Sequence, residues 1–141
     1  MSSRHRGREL AVQLVYQLDL DLLGWGENKV VERFWKEQAR STEDNKEFFK
    51  YLVGGVATNL PSVDKKLESA LQNWRKDRIE KVDLAILRVA IFEFYFGESQ
   101  YRVDAPVVIN EAVEIAKKFG SANSPAFVNG VLDGIMKKKS A

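Results

Sequence analysis

The sequence predicts an all-α protein of about seven helices forming one compact domain. Three observations carry this expectation. Apolar residues recur at helical spacing along the chain, and no stretch alternates with period two for long. Glycine, proline and capping residues fall between the periodic runs, where helices stop and start. Residues 84–96 are apolar nearly all round, the mark of a helix buried among others.

The elements follow in order. Leu10, Leu14 and Leu18 form one stripe, joined by Ala11, Val15 and Leu22, with Gln13, Gln17, Arg6 and Glu9 opposite and Tyr16 at the border. Gly24, Trp25 and Gly26 break this helix. Residues 27–40 form a short amphipathic segment with Val30, Val31, Phe34 and Trp35. Ser41 and Thr42 can cap the next helix, which carries Phe48, Phe49, Leu52, Val53 and Val56. Gly54 and Gly55 inside it cost roughly 1 kcal/mol each against alanine, which marks a close helix–helix contact. Pro61 suits the first turn of a helix with Val63, Leu67, Leu71 and Trp74. Asp83 caps or begins the central apolar helix, and Gly97 ends it. Asp104 caps a helix through Lys118, with Lys117 and Lys118 in its last turn and Gly120 at the stop. Ser124 and Pro125 start the final helix, which holds Phe127, Val128, Val131, Leu132 and Ile135. No internal repeat appears, and no linker is long enough to divide residues 1–141.

Composition narrows the function. With 141 residues the chain can bury a real core. It has no cysteine and one histidine, so thiolate metal sites, cysteine nucleophiles and His-rich metal sites are excluded, and a reducing cytoplasm is the expected home. No apolar run approaches membrane-spanning length, and no apolar signal core follows the N-terminal charges. There is no P-loop, HExxH motif or EF-hand loop. No metal, cofactor or catalytic residue is expected.

The net charge of +2 conceals an asymmetry. Residues 1–8 hold Arg4, Arg6 and Arg8 with His5 and no acid, and residues 135–141 hold Lys137, Lys138 and Lys139 and no acid. Removing these six cations from 22 leaves 16 against 20 acids, so the body carries −4. The N-terminal cluster runs straight into the first helix, where the dipole disfavours cations. It suits a polyanion, because arginines and free N–H groups converge on phosphate. The alternative is a solvated terminus. Helical phasing puts Arg6 with Gln13 on the polar face but aims Arg4 and Arg8 toward the apolar side. Residues 1–8 are therefore expected as a flexible basic lead, loosened by Gly7, and residues 136–141 as a basic tail.

Two further groups of residues stand out. Arg88 and Glu93 interrupt the apolar helix and need partners, and a buried structural pair is the simplest answer. Glu111 and Glu114 share a helix face and read as solvated or salt-bridged. Phe119 and Phe127 flank a short loop beside Lys117 and Lys118. Exposed rings there could stack on unpaired bases; Phe119 reads better as core, and Phe127 is open between the two.

The run Asn110-Glu111-Ala112-Val113-Glu114-Ile115-Ala116-Lys117-Lys118-Phe119-Gly120, followed by Phe127-Val128-Asn129-Gly130-Val131-Leu132, closely resembles the C-terminal signature of the NusB family of bacterial transcription antitermination factors. The arginine-rich start leading into Glu9-Leu10-Ala11-Val12-Gln13 and Tyr16 resembles the family's opening. Val53-Gly54-Gly55-Val56 and Leu87-Arg88-Val89-Ala90-Ile91-Phe92-Glu93 resemble its middle. The resemblance spans essentially the whole chain. It implies two packed helical bundles and no catalysis. It also implies an RNA-binding factor that, as a heterodimer with NusE, the small-subunit ribosomal protein, binds the single-stranded boxA element of nascent ribosomal RNA. That complex joins RNA polymerase with other Nus factors to suppress premature termination, and some members pair with themselves.

By position, the resemblance makes Arg4, Arg6 and Arg8 RNA contacts, with His5 where many relatives carry arginine. It places Phe127 and its neighbours near the RNA, with Lys117 and Lys118 beside them. Asn123 stands where an acid is often found, which removes one repulsion against phosphate. Tyr16 and Asp83 match positions facing NusE. Two other classes compete. A NusB-like domain also precedes some ribosomal RNA cytosine methyltransferases, a reading that needs a methyl-donor domain with its own Gly-rich loop beyond Ala141. A protein-binding scaffold without RNA contact would leave the basic ends unexplained.

Overall fold

The computed structural model describes residues 3–20, 28–38, 43–71 and 78–140. The glycine breaker at 24–26, the Ser41 and Thr42 cap, Trp74 and the side chains of Lys137, Lys138 and Lys139 lie outside the described residues. Seven α-helices and no strand occur among those described: α1 (Ser3–Leu20), α2 (Asn28–Gln38), α3 (Glu43–Thr58), α4 (Leu60–Ala70), α5 (Lys81–Ile91), α6 (Ala105–Phe119) and α7 (Ser124–Ser140). The all-α expectation holds, with its helices in the anticipated order.

The apolar stripes form the core. Leu10, Leu14, Val15 and Leu18 of α1 are buried against Phe48, Phe49, Leu52 and Val53 of α3. Each such side chain contributes about 1.5–3 kcal/mol when fully buried. On α5 every residue from Asp83 to Ile91 is buried, as its all-round apolarity requires. It packs against α1 and α3 of a first bundle and against α4, α6 and α7 of a second. Two helical bundles thus share one central helix in a single domain.

Gly55 explains part of the glycine pair. A Cβ there would lie 2.0 Å from Phe92 Cζ, whereas one at Gly54 would meet nothing within 4 Å. The close contact therefore belongs to Gly55 alone, and it lets α3 approach the turn that follows α5. That turn, Phe92–Phe96, is π-helical, with Glu93 buried inside it. A short 3₁₀ turn at Ser99–Tyr101 then leads to α6.

Residues 3–8, expected as a lead, belong to α1, which is helical from Ser3. Gly7 is buried where a Cβ would stand 3.0 Å from the Phe48 ring, so it packs the helix rather than loosening it. The basic tail continues the last helix, since α7 runs to Ser140 with Met136 buried. Finally, Arg88 and Glu93 are both buried but take different partners. Five residues apart, they point to different sides of the helix. Arg88 forks onto Asp64, with Nε at 2.9 Å and Nη2 at 3.0 Å, and its Nη1 reaches Asp19 at 3.0 Å, joining α5 to α4 and α1. Glu93 takes Arg8 of α1.

Candidate nucleic-acid interface

The first turns of α1 meet the end of α6, and the contact is made by charges. Glu9, almost fully buried, is the hub. It accepts from Arg6 Nη1 at 3.0 Å and from Lys118 Nζ at 3.2 Å, and His5 Nε2 lies 3.3 Å away. Burial works against its charge, but the hydrogen bonds from Lys118 and Arg6 outweigh that and hold its carboxyl below the usual range. His5 also pairs with Glu111 of α6. The sequence pointed to the cations. Glu9 meets Arg6 and His5 at helical spacing on α1 itself, and only its contact with Lys118 requires α6 alongside.

Around this hub the exposed groups are cationic or polar. Lys118 and Lys117 keep most of their length in water, and Lys117 pairs with Glu114 at 3.4 Å. Asn123 is exposed in the loop before α7, where its carbonyl accepts the Phe127 N–H at 3.1 Å. Phe119 and Phe127 are both half-buried against the core. Neither ring is wholly core, and Lys118 Nζ sits 5.4 Å from the Phe119 centroid. Arg4 turns elsewhere, its guanidinium 5.4 Å from the Phe48 ring and 5.2 Å from Tyr101.

Arg8 departs from its expected role. It is buried, with Nε donating to Glu93 Oε1 at 2.9 Å and Nη1 to Glu111 Oε1 at 3.0 Å. Burial opposes its charge, but Glu93 and then Glu111 raise its pKa above the ordinary value. A guanidinium committed to two carboxylates in the interior is not offered to phosphate. The phasing that aimed Arg8 at the apolar side is correct, and the acids it needs come from α6 and the turn after α5. Glu111, expected as solvated or salt-bridged, is one of them, and it is salt-bridged.

The two positions matched to a protein partner also differ. Tyr16 is half-buried and keeps an outward edge. Asp83 faces inward: it lies in the first turn of α5, one helical turn after the N-cap residue Glu80, and is 5% exposed. It accepts a hydrogen bond from Ser124 at the start of α7, while its Oδ1 has no partner among the described residues. Burial raises its carboxyl above the usual range. Ser124 is fully buried, and its Oγ also accepts the Ser121 N–H at 3.0 Å. Asp83 thus supports the loop carrying Asn123 from beneath.

No group of acids and histidine among the described residues is placed to hold a metal ion, and no described helix is long and apolar enough to cross a membrane.

Comparison with known proteins agrees with this architecture. The NusB family model matches residues 5–137. The transcription antitermination protein NusB of Geotalea daltonii is 44% identical over 142 residues, covering 96% of this chain and 94% of that protein. Its counterpart from Anaeromyxobacter dehalogenans is 43% identical over 136 residues, covering 95% and 90%. Among solved structures, T. maritima NusB superposes with a TM-score of 0.80 at 31% identity, covering 96% of this chain and 91% of that one. A structure of the antitermination factors NusB and NusE in complex with dsRNA gives 0.83 at 27% identity, covering 98% of each chain. A family model matched over nearly the whole chain, with relatives of this identity and length, means that the chain belongs to the NusB family.

Proposed function

We propose that the protein is a transcription antitermination factor that binds RNA and catalyses no reaction. With NusE it holds the single-stranded boxA element of nascent ribosomal RNA and joins the RNA polymerase elongation complex with other Nus factors, in the cytoplasm, to suppress premature termination. Family membership supports this, as does the likeness to a NusB that was solved with NusE and dsRNA. The observation that carries the RNA-binding reading is the convergence of Arg6, His5 and Lys118 on Glu9, with Lys117 and Asn123 exposed alongside. Cations from two helices meet there at one edge of a chain whose body is net acidic.

In this reading Arg4, His5, Arg6, Lys117, Lys118, Asn123 and Phe127 face the RNA, and Arg8 holds α1 in place beneath them. Tyr16 contacts NusE, and Asp83 acts from within through Ser124. Without NusE, the protein can pair with itself.

Labelled boxA RNA titrated at two salt concentrations, with and without NusE, tests the proposal. Binding should weaken at higher salt, tighten with NusE and exceed that of a scrambled RNA. Equal binding of the scrambled RNA would remove sequence-specific recognition. No binding at low salt would favour the protein-scaffold reading.

A further inference from the structure

A second feature adjoins the α1 terminus. A cleft of about 430 Å³ is lined by Lys46, Glu47, Lys50, Tyr51 and Tyr101. Its wall is aromatic. The Tyr51 and Tyr101 rings lie 4.3 Å apart, tilted by 34°, and Phe48 sits 5.4 Å from Tyr101. Both tyrosines are only half-buried, so ring surface remains open to the cleft. Arg4 connects this wall to the start of α1, through its position over Phe48 and Tyr101.

The rim is cationic. Lys46 and Lys50 reach Glu32 at 3.2 and 2.9 Å across the surface. Exposed ion pairs of this kind are weak, and a phosphate can replace the carboxylate. Glu47 is the one acid among the described lining residues, against two lysines and the neighbouring Arg4, with Glu32 paired to the lysines from outside the cleft. The Tyr51 hydroxyl accepts the Glu98 N–H at 2.7 Å, and burial holds its phenol above the ordinary range. It therefore keeps its proton at neutral pH and has it to donate.

Aromatic faces beside lysines and arginine are what single-stranded RNA requires, a ring for the base and cations for the phosphate. A cleft of this size falls within the range of small-ligand sites. We infer that it binds one unpaired nucleotide of an RNA strand continuing beyond the α1–α6 edge, with the base stacked on Tyr101 and the phosphate between Lys46 and Lys50. This rests on the RNA-binding reading above and extends it to a site of its own.

The test compares boxA RNA with the same RNA lengthened by unpaired nucleotides at either end, using the full chain with saturating NusE. One extension should raise affinity about tenfold, the gain expected of one stacked base. Tyr101→Ala should abolish that gain, leave the unextended RNA bound as before, and leave helical content unchanged. Tyr101→Phe should restore the gain, because it keeps the ring. Changing Lys46 and Lys50 together to Gln should lower the salt slope for the extended RNA alone, by about 0.7, the share of the one phosphate they hold.

No gain from either extension, or a gain that Tyr101→Ala leaves intact, would overturn the inference. So would a Tyr101→Ala protein that binds NusE more weakly, since the cleft would then belong to a protein partner. If boxA RNA itself does not bind, the reading of the α1–α6 edge fails. The cleft is then judged by oligouridylate: Tyr101-dependent binding upholds it, and its absence overturns it.

Discussion

Arg6 and Arg8 stand two positions apart on α1, and their removal should have opposite consequences. Arg8→Met strands Glu93 in the interior, and breaking a buried pair from one side costs about 3–5 kcal/mol. Urea denaturation should show that loss, with RNA affinity of the folded protein little changed. Arg6→Gln takes one donor from Glu9, which Lys118 and His5 still hold, so stability should fall by no more than about 1 kcal/mol. Its RNA affinity should fall several-fold, with the salt slope lower by about 0.7. A variant of Arg4, Arg6 and Arg8 together would therefore confuse unfolding with lost binding.

Asp83 makes stability depend on pH. Its folded carboxyl is raised by burial, so the native state holds its proton more tightly than the unfolded chain does. Stability from this group is present below the unfolded pKa and is lost as pH rises through the folded one. Asp83→Asn, which keeps an acceptor for Ser124, should raise the melting temperature at pH 7 and have no effect well below the ordinary aspartate range. Asn123→Asp should separate fold from function. It places an anion at the N-cap of α7, which favours the helix, yet modestly weakens boxA binding at low salt. An unchanged affinity would remove Asn123 from the interface.

At the scale of elements, α3 carries two adjacent glycines with different surroundings. Gly54→Ala meets open space and should stabilise by up to about 1 kcal/mol through helix propensity. Gly55→Ala drives a methyl into the buried Phe92 ring and should destabilise by about 1–3 kcal/mol. Thermal melts of the two single variants check this directly. The sequence marked the pair as a contact without saying which member makes it, because the partner is a ring 37 residues away. α1 offers a similar case. Its stripe of Leu10, Leu14 and Leu18 was legible, since period alone identifies it. Its true start was not, because a run rich in arginine reads as a loose lead until Glu9, Glu93 and Glu111 are found around it.

For the whole molecule, the separation of charge is the property with a measurable consequence. Changing Arg4, Arg6 and Lys118 together to Gln should lower the salt slope for boxA RNA by about 2, and it should also lower the melting temperature, because buried Glu9 loses two of its charged donors. A slope that does not move would mean that phosphate is held elsewhere.

Helix order, the buried central helix and the exported positive charge are one-dimensional properties. They depend on spacing and composition, and reading the chain once is enough to find them. Family membership was legible for the same reason, since its motifs are runs of neighbouring residues. The assignment of each charge was not. Arg8 became interior, Arg88 and Glu93 were parted, Asp83 turned inward, and Tyr51 and Tyr101 closed one cleft. Each outcome is set by residues far apart in sequence, and a charged side chain takes its role from the partners that packing delivers within about 4 Å.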